Sequence, residues 1–143
     1  MKDSRVILVV EGDDAIWSVI KDALPACADG YAVMRLDSAE LAEMLAGGAS
    51  VKKPGLRSAH ALILDDDYLG GQTVQILSQL RTHEFLARVP AVILIGREDE
   101  RHISECQTMG ASICILKSGG EEALRETLVK LGDFLAVVQV SQS

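Results

Sequence analysis

The stretch RVILVVEGDDA, residues 5–15, carries the first structural decision. Val6 to Val10 run together without a polar residue among them, and the run stops at Glu11. A strand that does not alternate polar with apolar is covered on both faces, as in a parallel sheet between layers of helix. Gly12, Asp13 and Asp14 follow at once. Three carboxylates therefore crowd the mouth of a buried strand. They admit three readings: a metal site, a helix cap, or a site that has lost some of its parts.

The same kind of run returns as ALIL at 61–64, AVILI at 91–95 and ASICIL at 111–116. YAVMRL at 31–36 alternates more, as suits an edge strand. Helical stripes lie between. Ile16, Val19, Ile20, Ala23 and Leu24 form the first, stopped by Pro25. Leu41, Met44 and Leu45 follow a capping Asp37 or Ser38 and are closed by Gly47. Val74, Ile76, Leu77 and Leu80 mark a third, and 98–109 offers a thin apolar edge of Ile103, Cys106 and Met109. The last, from about Glu121, carries Leu124, Leu128, Leu131, Leu135 and Val138. Strand then helix, five times over, predicts an α/β fold with right-handed crossovers. Residues 47–59, GGASVKKPGLRSA, read as a long exposed loop. The expectation is one domain over residues 1–143, with a core over about 4–131 and a helical extension over about 132–143.

At 143 residues the chain can bury a core without staples. Apolar residues make up 48%, which excludes disorder over most of the length, and aromatics only 3%, so the core is aliphatic. A net charge of −7 argues against a nucleic-acid-binding surface, which needs basic stripes. Cys27, Cys106 and Cys114 have no metal-type spacing and read as reduced, buried thiols of a cytoplasmic protein. The N-terminal run is too short for a signal peptide, and no stretch approaches a membrane span.

In an open parallel sheet, ligands bind beyond the carboxyl ends of the strands. Glu11, Gly12, Asp13 and Asp14 follow the first strand; Asp65, Asp66 and Asp67 the third; Gly96 and Arg97 the fourth; Lys117, Ser118 and Gly119 the fifth. If the strand order is 2-1-3-4-5, the two acidic ends are neighbours across the switch point and the lysine lies to one side. The turn EGDDA has one glycine and three negative charges, so it is neither a dinucleotide cradle nor a P-loop. A hard cation held by oxygens suits it better.

These residues resemble the receiver domains of bacterial two-component response regulators, over nearly the whole chain. The resemblance implies a flavodoxin-like (CheY-like) doubly wound sheet of five parallel strands, order 2-1-3-4-5, in three α/β/α layers. It implies a signalling role rather than an enzymatic one. It also implies Mg2+ held by an acidic pair after the first strand, and a phosphoryl group passed from a histidine kinase to the aspartate ending the third. A Thr or Ser ends the fourth strand in such domains, an aromatic sits in the fifth, and a Lys-Pro follows. ALILD makes Asp65 the phosphoacceptor, and GASICILKS makes Lys117 the lysine that contacts the phosphoryl group. Glu11 takes the first acidic position, so Glu11 and Asp65 are the metal candidates, while Gly12 stands where the second carboxylate belongs. Ile95 replaces the hydroxyl, Gly96 holds the next small-residue position, and Cys114 replaces the aromatic. Leu69 and Ser118 replace two prolines. LVKLGDFLAVVQV and the loop before the third strand are similar to the stand-alone response regulators associated with bacterial phytochromes.

Each candidate also has a plainer role. Asp65 can cap a turn, although its place at a strand end opposite Lys117 favours function. Glu11 either reaches a cation or pairs with Lys117. Asp13 and Asp14 fall where the first helix starts, so capping and the helix dipole account for them. Asp66 and Asp67 read as a solvated turn, with Asp67 adding to the acidic field, and His60, His83 and His102 are not read as ligands. Without a proline at residue 118, a cis peptide after Lys117 would cost about 2.5–4 kcal/mol, so trans is expected. The last helix carries surplus apolar residues in Phe134, Val137 and Val140, which marks a partner interface.

The expectation is a single-domain, cytoplasmic receiver with an incomplete site, in which phosphorylation of Asp65 is impaired and Mg2+ weakly held or lost. Its partners are a histidine kinase or other signalling protein, and a second copy through the C-terminal helix; nucleic acid and membrane are not among them. The alternatives are a fully competent phosphoreceiver and, further off, a small α/β enzyme. Against the enzyme, no Ser, Cys or His lies at a strand end in a nucleophile arrangement, and the glycine-rich cradle is absent.

Overall fold

The computed structural model describes residues 5–24, 31–46, 59–83 and 86–137. Pro25, Cys27, Gly47, the loop over 48–58, Val138 and Val140 lie outside the described residues. Five strands pair in parallel: β1 (Arg5–Val10), β2 (Tyr31–Leu36), β3 (Ala59–Asp65), β4 (Ala91–Ile95) and β5 (Ile113–Leu116). Their order is β2-β1-β3-β4-β5, as the resemblance led one to expect. The weaker, more alternating YAVMRL run is indeed an edge strand.

The unalternating runs work as the periodicity demands. Val6, Leu8 and Val10 point into one core with Leu36, Leu41, Met44, Ile76 and Leu77. Ile7 and Val9 point into the other with Val19, Ile20, Leu124 and Leu128. Fully burying a side chain of this size contributes about 1.5–3 kcal/mol, so the two aliphatic layers supply the main driving force. The helices that cover the sheet are α1 (Asp14–Ala23), α2 (Ser38–Leu45), α4 (Thr73–Leu80), α5 (Glu100–Thr108) and α6 (Gly120–Val137). Asp13 caps α1, its Oδ1 accepting from the backbone N–H of Ala15 (2.8 Å) and Ile16 (3.1 Å). Asp37, rather than Ser38, caps α2, in a reciprocal capping box with Glu40.

Two features depart from the expected five-fold repeat. A one-turn helix, α3 (Asp66–Leu69), follows β3 directly and precedes α4. Four residues are too few to show a helical period, so the pattern could not reveal it. β3 also starts at Ala59, the last residue of the expected loop.

Register decides where the strand ends fall. Val10 pairs with Leu64, Asp65 with Leu94 and Ile95 with Leu116. Glu11, Asp65, Gly96 and Lys117 therefore emerge along one edge of the sheet.

Candidate functional site

Asp65 ends β3 and is 1% exposed. Lys117 leaves β5, with the end of β4 between, and its Nζ donates to both Asp65 oxygens, at 2.9 Å (Oδ1) and 2.8 Å (Oδ2). Asp65 Oδ1 also accepts from the backbone N–H of Asp67 at 2.9 Å, so the same side chain caps α3. The Lys117 ammonium lies 2.9 Å from Asp67 Oδ2 as well. One cation is thus held between two carboxylates. Burial works against the charge on Lys117, but the hydrogen bonds it donates to Asp65 and Asp67 outweigh it and raise its pKa above the ordinary value.

Glu11 does not join this cluster as a salt-bridge partner of Lys117, which was one of the two roles the sequence left open. It is 2% exposed, and its Oε2 accepts from the Asp13 N–H at 3.1 Å. Its Oε1 is buried without a donor. Burial, then the hydrogen bond with Asp65, pushes the Glu11 pKa up to about 8. Burial also works to raise Asp65, but the hydrogen bonds with Glu11 and Lys117 outweigh it and hold that carboxyl below its ordinary value. The two carboxyls are thus pushed apart, Asp65 toward the charged form beside Lys117 and Glu11 toward the protonated one.

The turn after Asp65 covers what remains of the crevice. The Tyr68 ring lies over Gly12, where a Cβ would overlap ring atoms Cδ1 and Cε1. Its hydroxyl accepts from the Ser38 N–H at 3.0 Å, at the start of α2. A cleft of about 430 Å³ lies against the ring, bordered by Glu11, Gly12, Arg35, Asp37 and Glu40. Arg35 closes the outer side: it donates to the Glu11 carbonyl at 2.9 Å, pairs with Asp14 at 2.9 Å and sits 5.6 Å from the Trp17 ring centroid.

Asp66 is not the solvated residue the sequence suggested. His102 Nε2 is 2.8 Å from its Oδ1, and Thr73 Oγ1 donates to the same oxygen at 2.6 Å. The Asp66 hydrogen bond raises the His102 pKa above 6.5. Cys106 Sγ lies 3.8 Å from His102 Nε2 and is fully buried; burial pushes its thiol up to about 11, which makes it inert. Cys114 is half-buried and packs against the core, and Ile95 is 2% exposed within that core.

No protein-family model matches the sequence. No curated protein matches it by sequence either. Solved structures match by shape. The phosphorylated cyanobacterial phytochrome response regulator RcpA gives a TM-score of 0.84 at 19% identity, over 97% of this chain and 99% of its own. A response regulator receiver domain from Rhodospirillum rubrum gives 0.80 at 22% identity, over 96% and 98%. The Mn2+-bound form of the response regulator Rcp1 gives 0.82 at 18% identity, over 96% and 99%. The fold is that of a response regulator receiver domain. At these identities the likeness is one of fold, and the site has to be judged on its own residues.

For a receiver fold the implied group is a divalent cation, and Mg2+ demands near-octahedral oxygen ligation. The residues here do not fit it. Both Asp65 oxygens accept from Lys117, Gly12 has no side chain, Asp13 is spent on its helix, and the Tyr68 ring occupies the space above Gly12. Among the described residues no three His, Cys, Asp or Glu side chains are grouped so as to hold a metal.

Sequence reasoning missed Tyr68 and His102 as members of the site, and gave Asp67 only a share in the acidic field rather than a direct contact with Lys117. A signal for Tyr68 was present: a bare glycine at a carboxylate position leaves a hole, and a nearby aromatic can fill it. His102 gave none, since nothing in the polar α5 segment points to a turn 36 residues upstream. The peptide after Lys117 is trans, as expected. No helix among the described residues is long and apolar enough to cross a membrane.

Proposed function

We propose that this chain is a single-domain signalling protein of a two-component phosphorelay, acting through protein–protein contacts, with phosphorylation of Asp65 slow or lost. One observation carries the reading. Lys117, the group that would meet phosphoryl oxygens, is already neutralised between Asp65 and Asp67. An incoming phosphoryl group would have to draw Lys117 away from two carboxylates at once, Asp65 and Asp67. Ile95 and Cys114 support the same reading, because neither offers the hydroxyl or the aromatic ring that would turn a phosphoryl group into a change of shape.

Asp65 remains the phosphoacceptor and Lys117 its contact in whatever transfer persists, while Mg2+ at Glu11 and Asp65 is weak or absent. The partners are a histidine kinase or another signalling protein inside the cell, and a second copy docked through α6. Phe134 on that helix is 48% exposed, which supports the last point. No catalytic turnover is assigned. The test is intact mass after incubation with Mg2+ and a small acyl phosphate. No stable gain of a phosphoryl group is expected. A full gain on the wild type and none on Asp65→Asn would establish the competent phosphoreceiver instead.

A further inference from the structure

Two glycines at the strand ends are not explained by their own backbone. The described glycines with positive φ are Gly70, Gly71, Gly110, Gly119 and Gly120. Gly12 and Gly96 are not among them, so residues with side chains could adopt their backbone angles. What they lack is room. A Cβ on Gly12 would overlap the Tyr68 ring, and a Cβ on Gly96 would overlap Oδ2 of Asp67. Tyr68 and Asp67 are consecutive residues of α3, whose cap is Asp65 itself. From that one turn they reach to opposite sides. Tyr68 lies over the end of β1 and is tied to Ser38; Asp67 lies over the end of β4 and is tied to Lys117.

We propose that Tyr68 is a plug, standing where the second acidic residue and its ion would be, and that residue 12 is glycine because residue 68 is an aromatic ring. The inference rests on the receiver reading and sharpens it. A site that merely lacked one ligand would be repaired by supplying that ligand. A plugged site would not, because a carboxylate at residue 12 and the ring compete for one space. Asp67 on Lys117 pins the far side of α3 and Ser38 the near side, so the ring is held rather than hinged.

The test uses the full chain, with Mn2+ alone as the probe, read by electron paramagnetic resonance. Five proteins are compared: wild type, Gly12→Asp, Tyr68→Ala, Gly12→Asp/Tyr68→Ala and Gly12→Asp/Tyr68→Phe. Only the double variant carrying Tyr68→Ala is expected to bind, about tenfold or more tighter than either single change, the non-additivity of residues sharing one space. The Tyr68→Phe version keeps the ring and stays weak, which separates bulk from the hydroxyl contact. Should Gly12→Asp fail to fold, thermal melting of Gly12→Ala tests the same competition: a lowered Tm is expected with Tyr68 present, and no further loss on top of Tyr68→Ala. Gly12→Asp alone binding as tightly as the Tyr68→Ala double overturns the plug and leaves the receiver reading standing. So does a folded Tyr68→Ala double that binds no better than wild type, or a Gly12→Ala change that is neutral in both backgrounds. Tight Mn2+ binding by the wild type overturns both.

Discussion

Glu11 holds its proton to higher pH than an ordinary carboxyl, and that shift shapes how the crevice responds to pH. Its pKa in the folded chain is about 8, against an ordinary 4.5. Folding therefore takes up a proton between those values. The contribution of Glu11 to stability is whole below about pH 4.5 and is lost as the pH rises through about 8. Glu11→Gln keeps the shape and removes the titration. Urea unfolding across that window is expected to show a flatter pH dependence in the variant than in the wild type, and an unchanged slope would contradict the assignment. Lys117→Met leaves Asp65 buried without its cation and is expected to cost about 3–5 kcal/mol in the same assay, with much of the loss recovered by adding Asp65→Asn. Asp65 and Lys117 were legible in the sequence because each ends an apolar run. Which carboxylate Lys117 would choose was not, since Glu11, Asp65 and Asp67 all lie within reach of a four-carbon stem, and differences of a few ångströms decide.

His102 ties α5 to the turn that follows Asp65, across an element boundary the sequence does not hint at. Asp66 raises its pKa above 6.5. A raised histidine contributes stability that is complete below about 6.5 and declines as the pH passes its folded value, the same direction as Glu11. NMR titration of the imidazole is expected to give a pKa above the ordinary one in the wild type and a return toward it in Asp66→Asn. No difference between the two would remove the contact. His102→Gln is expected to cost about 1–2 kcal/mol, with amide protection lost first in α5. Among elements, the four unalternating strands and the capped helices were readable because burial and period speak over several residues at once. α3 was not, and α3 is the element that supplies Asp67 and Tyr68. The segment that shapes the crevice most is the one too short to carry a pattern.

The molecule as a whole is two aliphatic layers on one parallel sheet, with its polar chemistry gathered at a single edge. The layers followed from the unalternating runs, and the strand order from the family resemblance. Whether the edge still works depends on four positions, Gly12, Tyr68, Ile95 and Asp67, where side chains rather than topology decide. A fold intact around a self-satisfied crevice is what the proposed role in surface contacts requires. Phe134→Asp is accordingly expected to leave the fold intact and shift sedimentation from dimer to monomer, whereas a wild type that sediments as a monomer would rule out the α6 interface. The most direct measurement is a crystal structure grown with Mg2+ and beryllofluoride as a phosphoryl mimic. The predicted result keeps Lys117 between Asp65 and Asp67 and the Tyr68 ring over Gly12, with neither ion nor mimic on Asp65. A metal ion bound by Glu11 and Asp65, with Lys117 turned onto the mimic and Tyr68 swung clear, would contradict it.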